Sequence, residues 1–349
     1  MGSEDVRAGL IGYGTAGEFF HAPLIAATPG MSLAAVVTRD AGRAGRIAAV
    51  HPGARVVDAA ERLWELCDLI VVATPNRTHV PLATAALRAG LPVVVDKPLA
   101  GTSGDAAALL RLAAERGLML TVFQNRRWDG DFRTLLALAR SGELGEIRRL
   151  ESRFERWRPA PKGGWRESGG PEEIGGLLYD LGSHLVDQAL TLLGPVSAVY
   201  AESDARRPGV SGDDDMFIAL THANGARSHL WASAVAPHLG PRFRVLGSRA
   251  AYVKQGLDVQ EERLRAGAHP DETGFGDEPP ERWGVVRAGD ESRRVPTEPG
   301  AYLAFYEGVV AALREGAAPP VDPADAVAAL AVLEAARASA AGRKVVTLP

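Results

Sequence analysis

Gly12-Tyr13-Gly14-Thr15-Ala16-Gly17 sets three glycines in the spacing G-x-G-x-x-G, a pattern able to cradle a pyrophosphate. The first glycine permits a tight turn, the second lets the backbone approach the phosphates, and the third lets a helix pack closely on a strand. Free N–H groups at the start of that helix, with the positive end of its dipole, would hold the anion. Glycine is common in this chain, so the motif is weak alone. Its context makes it strong: the apolar run Val6–Ile11 precedes it and Ala16–Ala27 has helix-like composition. Gly12, Tyr13, Gly14, Thr15, Ala16 and Gly17 are therefore candidate dinucleotide-binding residues.

The second apolar run, Leu33–Val37, bears on which dinucleotide is bound. An acid about 20 residues beyond the glycines usually takes the adenosine ribose of NAD. Here Thr38-Arg39 occupies that place and Asp40 follows. A carboxylate would repel a 2′-phosphate, whereas a hydroxyl and a guanidinium would hold it by charge-assisted hydrogen bonds. Thr38 and Arg39 thus favour NADP. NAD is the alternative, with Asp40 on the ribose and Arg39 as a solvated charge.

Two further clusters carry acid–base chemistry. Lys97 lies between Val93–Val95 and Pro98, and it is one of four lysines among 39 basic residues. Beside a cationic nicotinamide its proton would be held less tightly, so the amine could hydrogen-bond a reacting hydroxyl and share its proton. Asp180 and His184 stand four apart on an expected helix, Leu177–Leu193, and so share a face. A carboxylate beside an imidazole fixes its tautomer and keeps it basic, as a general base near neutral pH requires. Asp187 falls on much the same face. A zinc site from these acids and the histidine is the competing reading, but no cysteine supports it and hydride chemistry needs no metal. Arg126 and Arg242 are candidate substrate contacts.

These residues need elements to carry them. Strand-like runs alternate with helix-like segments through Leu118–Phe123, the pattern of a parallel sheet covered on both faces. Beyond about residue 124 come a helix at Phe132–Arg140, a strand at Ile147–Arg156, a Gly/Pro-rich loop at Pro159–Gly176 and then successive strands to Lys254. Gly267–Gly284 and Ala288–Gly300 read as loops, and Tyr302–Arg314 and Ala324–Ala338 as closing helices. The fold class is α/β: an N-terminal doubly wound Rossmann sheet, residues 1–123, and a C-terminal α+β domain with a largely antiparallel open sheet, residues 124–349. The closing helices are free to pack back on the first domain.

The 349 residues are 46% apolar and 23% charged with a net charge of −4, which fits a soluble globular protein and excludes a global basic field for nucleic acid. No apolar run approaches the roughly 18 residues of a membrane span, and Met1–Arg7 carries no apolar signal region. Cys67 is the only cysteine, so an internal disulfide is excluded. A cytoplasmic location is expected.

Taken together, these motifs resemble the Gfo/Idh/MocA oxidoreductase family over essentially the whole chain. The resemblance rests on the glycine motif, on Asp96-Lys97-Pro98 in place of the usual Glu-Lys-Pro, and on Asp180 to His184 as Asp-x-Gly-x-His. Within the family, Gly17 to Ile25, Gln124 to Asp129, Gly164-Trp165-Arg166 and Leu178 to His184 look like the NADP-dependent scyllo-inositol dehydrogenase branch. That resemblance implies Lys97, Asp180 and His184 as the catalytic trio. It implies Thr74, Pro75, Asn76, His79 and Asn125 along the nicotinamide half of the cofactor, with Asp96 near the ribose or backbone. Trp165 and Arg166 would close over the site, and Lys97, Arg126, Trp165, Asp180 and His184 would meet a polyhydroxylated sugar or cyclitol. It further implies a homodimer or tetramer formed through the C-terminal sheet. Two other uses of such a fold are a redox-neutral glycosidase or lyase reaction and nucleotide sensing by a non-catalytic regulator.

Overall fold

The computed structural model describes residues 5–161, 163, 167 and 174–349. The chain divides into two compact units: residues 1–128, 260–275 and 301–327 make the first, and residues 129–259, 276–300 and 328–349 the second.

In the first unit six strands form one parallel sheet. They are Val6–Ile11 (β1), Met31–Val37 (β2), Arg55–Val57 (β3), Leu69–Val72 (β4), Val93–Asp96 (β5) and Leu120–Phe123 (β6), in the order β3-β2-β1-β4-β5-β6. β4 and β6 are buried at every position, as strands covered on both faces must be. The connecting helices are Ala22–Ala27 (α1), Ala41–Val50 (α2), His79–Arg88 (α3) and Ser103–Arg116 (α4). Ala83, Ala86 and Leu87 of α3 and Ala106, Leu109 and Ala113 of α4 are buried along one face of each helix. α4 starts where Thr102 accepts the Asp105 N–H at 3.0 Å, and stops at Gly117, whose φ is 63°.

The helix expected over Ala16–Ala27 has a wider opening turn. Residues Gly17–His21 form a π-turn, and the Ala22 N–H reaches back to the Gly17 carbonyl. Pro23, at the start of α1, has no N–H to donate and its ring crowds the preceding turn. The hydrogen-bond register changes at that point.

The second unit contains Gly130–Arg140 (α5) and a nine-stranded sheet. Its strands are Ile147–Glu155 (β7), Val196–Asp204 (β8), Asp215–His222 (β9), Arg227–Ser233 (β10), Phe243–Gly247 (β11), Ala251–Lys254 (β12), Gly284–Ala288 (β13), Glu291–Val295 (β14) and Val346–Thr347 (β15). The order is β14-β13-β12-β11-β7-β10-β9-β8-β15, antiparallel except where β10 lies parallel to β7. β10 alternates as a one-sided strand does: Ser228, Leu230 and Ala232 are fully buried, while His229 and Trp231 are half-exposed.

Two expectations are corrected here. Residues 288–300 are not all loop, because β14 returns beside β13 across Gly289 (φ 61°). Four of the five β14 residues are exposed, so the strand carries no apolar alternation to betray it. The helix expected over Leu177–Leu193 is broken into Leu177–Asp180 (α6) and Gly182–Leu193 (α7), with Leu181 at φ −102° between them. Glycine is a poor helix former, and Gly182 stands at the break. Leu181 N–H still bonds the Leu177 carbonyl and Leu185 N–H the Leu181 carbonyl, so the spacing from Asp180 to His184 keeps its helical sense.

The first unit is completed by Gln260–Arg265 (α8), which lies in a stretch without helical periodicity, and by Leu303–Glu315 (α9). Thr121 on β6 donates its hydroxyl to the Val321 carbonyl at 2.8 Å, and Arg127 pairs with Asp325 at 2.9 Å. Pro323–Gly342 (α10) is the longest helix described. No described helix is long and apolar enough to cross a membrane.

Candidate active site

The glycine cradle sits at the end of β1. Gly12 has φ 102°, and a Cβ there would lie 2.6 Å from the Ala73 carbonyl oxygen beside β4. Both facts demand glycine. A Cβ on Gly17 would overlap the Gly12 carbonyl oxygen far inside van der Waals contact, while one on Gly14 would meet nothing within 4 Å. The two outer glycines therefore serve the fold, and the middle one leaves the space a pyrophosphate needs. A contrast between two variants follows. Gly17→Ala should destabilise the protein by about 1–3 kcal/mol in denaturant unfolding, the usual range for overpacking. Gly14→Ala should leave the unfolding curve in place yet weaken nucleotide binding. Equal unfolding curves for the two would remove this division of labour.

A cleft of about 540 Å³ opens beside the cradle, and Gly12, Tyr13, Thr38, Arg39 and Thr74 all line it. Five residues chosen on sequence grounds are thus brought together. Arg39 donates its Nε–H to the Asp58 carbonyl at 3.0 Å. Asp40 is the N-cap of α2, its Oδ1 accepting the Arg43 N–H at 2.7 Å. Arg43 also lines the cleft and adds a second guanidinium on its rim. The sequence reading missed it. The available signal was an arginine three residues beyond a capping aspartate, on the first turn after β2. Tyr13 is buried, and that burial pushes its phenol above the usual range.

Three strand ends of this sheet carry the next residues. After β4, Asn76 is 8% exposed and His79 fully buried. The ring nitrogens of His79 lie 2.8 Å from the Pro98 carbonyl and 2.9 Å from the Thr74 carbonyl, and the neutral imidazole donates its single N–H to one of the two. Burial lowers the proton affinity of this ring. After β5, Lys97 is half-buried and Asp96 is 13% exposed. After β6, Asn125 and Arg126 are each 6% exposed. Arg126 donates to the Tyr302 hydroxyl at 3.1 Å and pairs with Glu261 on α8.

In the second unit Asp180 ends α6, and His184 is the third residue of α7. His184 and Asp187 are buried, at 5% and 2% exposure. Asp213 fastens α6 by accepting the Leu178 N–H at 2.7 Å, and burial pushes its carboxyl up to about 6. The Phe154 ring lies 6.4 Å from the His184 ring. The Arg242 guanidinium sits 4.1 Å from the Phe154 ring and 4.0 Å from the Phe243 ring. Arg242 is 2% exposed and bonds Asp131 at 3.2 Å, Ser152 at 2.6 Å and Gln188 at 2.7 Å. The guanidinium is therefore spent inside the unit, which corrects its reading as a substrate contact. Gln188 lies one turn beyond His184, so Arg242 braces the helix face that carries the histidine. Trp165 and Arg166 fall outside the described residues. No group of three or more His, Cys, Asp or Glu among the described residues is placed to hold a metal ion.

The strand order and the cradle at the end of β1 define a dinucleotide-binding protein of the Rossmann class. Comparison with known proteins carries this further. Residues 6–124 match the family profile described as oxidoreductase family, NAD-binding Rossmann fold, and residues 137–348 match oxidoreductase family, C-terminal alpha/beta domain. The chain belongs to the Gfo/Idh/MocA oxidoreductase family, and it is a dehydrogenase or reductase with a nicotinamide cofactor. The uncharacterized oxidoreductase YdgJ of Escherichia coli is 41% identical, covering 99% of each chain. The scyllo-inositol 2-dehydrogenase (NADP(+)) IolW of Bacillus subtilis is 32% identical over 99% of this chain and 96% of its own. The solved structure of yvaA from Bacillus subtilis superposes with a TM-score of 0.94 at 32% identity, covering 99% of each chain.

Proposed function

We propose that the protein is an NADP-preferring dehydrogenase that interconverts a secondary hydroxyl and a ketone on a sugar or cyclitol. The observation that carries the cofactor preference is the cleft at the end of β2. Thr38, Arg39 and Arg43 line it together with Asp40, Asp58 and Glu61, and Oδ1 of the Asp40 carboxylate is engaged in capping α2. Two guanidinium groups on one rim suit a 2′-phosphate. Removing either should cost NADP binding about 1.5–3 kcal/mol, the range for a hydrogen bond to a charged group, or roughly 10- to 150-fold in Kd. Fluorescence titration of Arg39→Ala and Arg43→Ala with NADPH and NADH checks this. Unchanged NADPH affinity with NADH preferred throughout would end the reading.

The residues that would hold the cofactor are Gly12 to Gly17 at the pyrophosphate, Thr38 and Arg39 at the adenosine, and Thr74, Pro75, Asn76, His79, Asp96 and Asn125 at the nicotinamide half. The openness around Gly14 fits that role. When bound, the nicotinamide accepts or returns a hydride. The chain's own part is the proton. Its candidates are His184 as the general base, Lys97 as the amine that shares the proton, and Asp180 as the residue that orients the imidazole. The substrate class follows the likeness to IolW. Absorbance of NADP(H) and NAD(H) followed against inositols, aldoses and lactones tests it. Clear cofactor binding with no turnover on any of them would defeat the substrate assignment.

We also assign self-association to the half-exposed side of β9 and β10. Phe217, His229 and Trp231 gather there with ring centroids 5.1–6.1 Å apart, and Arg153 lies 3.9 Å over the Trp231 ring. A continuous aromatic patch on a sheet suits an isologous contact. Sedimentation as a monomer at micromolar concentration would remove it.

A further inference from the structure

A further cavity lies within the second unit, walled by α6, α10, the end of β8 and the segment before β9. It holds about 240 Å³, and Leu178, Tyr179, Ser203, Ser211, Asp213 and Arg337 are among the residues that line it. Neither Asp180 nor His184 does. That volume is the share of about eight waters, enough for a molecule of roughly as many non-hydrogen atoms.

The polar groups of this cavity complement one another. Tyr179 is 3% exposed, and its hydroxyl has no hydrogen-bond partner. A buried hydroxyl left in that state costs stability, and native proteins carry few of them. Burial pushes the phenol above its usual range, and the charges of Glu334 and Asp213 push the same way against that of Arg337, so the phenol keeps its proton and can donate it. Arg337, exposed on α10, holds its guanidinium 5.5 Å over the Tyr179 ring. Two donors thus stand side by side, and together they call for a charged acceptor. Asp213 is the acceptor. One of its oxygens takes the Leu178 N–H at 2.7 Å, and burial works against its charge, so a further donor brought to it would offset that cost. Ser203 and Ser211 add hydroxyls that serve either role.

We infer that this cavity is a binding site for a small 2-hydroxymonocarboxylate, whose carboxylate is taken by Arg337 and the Tyr179 hydroxyl and whose own hydroxyl donates to Asp213. A second carboxylate on the ligand would be repelled by Asp213. Leu178 and Tyr179 form one wall and belong to the short helix that ends at Asp180, so an occupant also steadies the turn that carries Asp180.

Glycerate is the probe. Calorimetric titration of the full chain should show saturable binding, and propionate, which has no hydroxyl, should bind about tenfold more weakly or worse. Arg337→Gln and Tyr179→Phe should each weaken glycerate by about tenfold or more. Tyr179→Phe also separates a ligand contact from a structural one. Losing an unpartnered hydroxyl should leave the Tm of the free protein unchanged or higher, whereas a phenol that serves the fold would lower it. Amide exchange in the segment 177–181 should slow when glycerate is added. No binding to the parent chain, or full binding by Tyr179→Phe, overturns the proposal. Should glycerate instead enter the candidate active site, Lys97→Ala would lose it while Arg337→Gln kept it, and the proposal falls with that result too.

Discussion

Lys97→Ala should lower kcat by about 10²–10⁴, the range for losing a positioned proton donor or acceptor, while NADPH binding stays close to that of the parent. The argument is one of place and rarity. Lys97 follows β5 directly, at the carboxyl edge of a parallel sheet where ligands of this fold bind. It is half-buried, and few other positions in the chain retain lysine. His184→Ala should behave alike, because a buried imidazole on α7 has no surface role to explain it. Stopped-flow turnover with an inositol, alongside NADPH fluorescence titration, measures both quantities. A fall in cofactor affinity with kcat intact would mean that the amine binds and does not react. Full turnover in both variants would leave the proton without a carrier.

The second large effect is on stability. Arg242→Met should destabilise the protein by about 3–5 kcal/mol, the cost of breaking a buried ion pair from one side. Arg242 and Asp131 are each 1% exposed at the side chain, and Asp131 Oδ1 already lacks a hydrogen-bond partner. Without the guanidinium, Asp131 keeps a buried charge with no counter-ion, and Ser152 and Gln188 lose their donor. A fall in Tm on the order of 10 °C is expected for a unit of this size. The double variant Arg242→Met with Asp131→Leu should recover most of it, since a well-packed apolar replacement of a buried pair is often neutral. A double variant no better than the single would point to the stacking on Phe154 and Phe243 as the real contribution. Because Gln188 shares a helix face with His184, the single variant should also lose activity beyond what its stability explains.

The first sheet was legible because its strands are short apolar runs closed by glycine, proline or a polar cluster, and burial on both faces leaves no ambiguity. Gly12 and Gly17 were legible because sterics permit nothing else there. Lys97 stood out through its neighbours and its scarcity. The break at Leu181 was not legible, since the apolar spacing of Leu177–Leu193 continues across it. Nor was β14, a strand with four exposed polar residues. His21 meets Tyr306 across 285 positions, and no local pattern signals so distant a contact. Arg43 was hidden for the opposite reason. It looks like any solvated charge on a helix until α2 is seen to begin at the rim of the cleft.

The first unit is not continuous in sequence. Its β6 is fastened by Val321, its buried His21 by Tyr306, and its Arg126 by Glu261 and Tyr302. A ribosome that has delivered residues 1–128 has therefore not yet delivered the strips that finish the nucleotide-binding half. At roughly 5–20 residues per second, tens of seconds at the slow end separate the last strand of that sheet from the helix that locks it. During that interval the cradle exists as sequence without its full support, and the half that binds the cofactor matures only when nearly all of the chain has emerged.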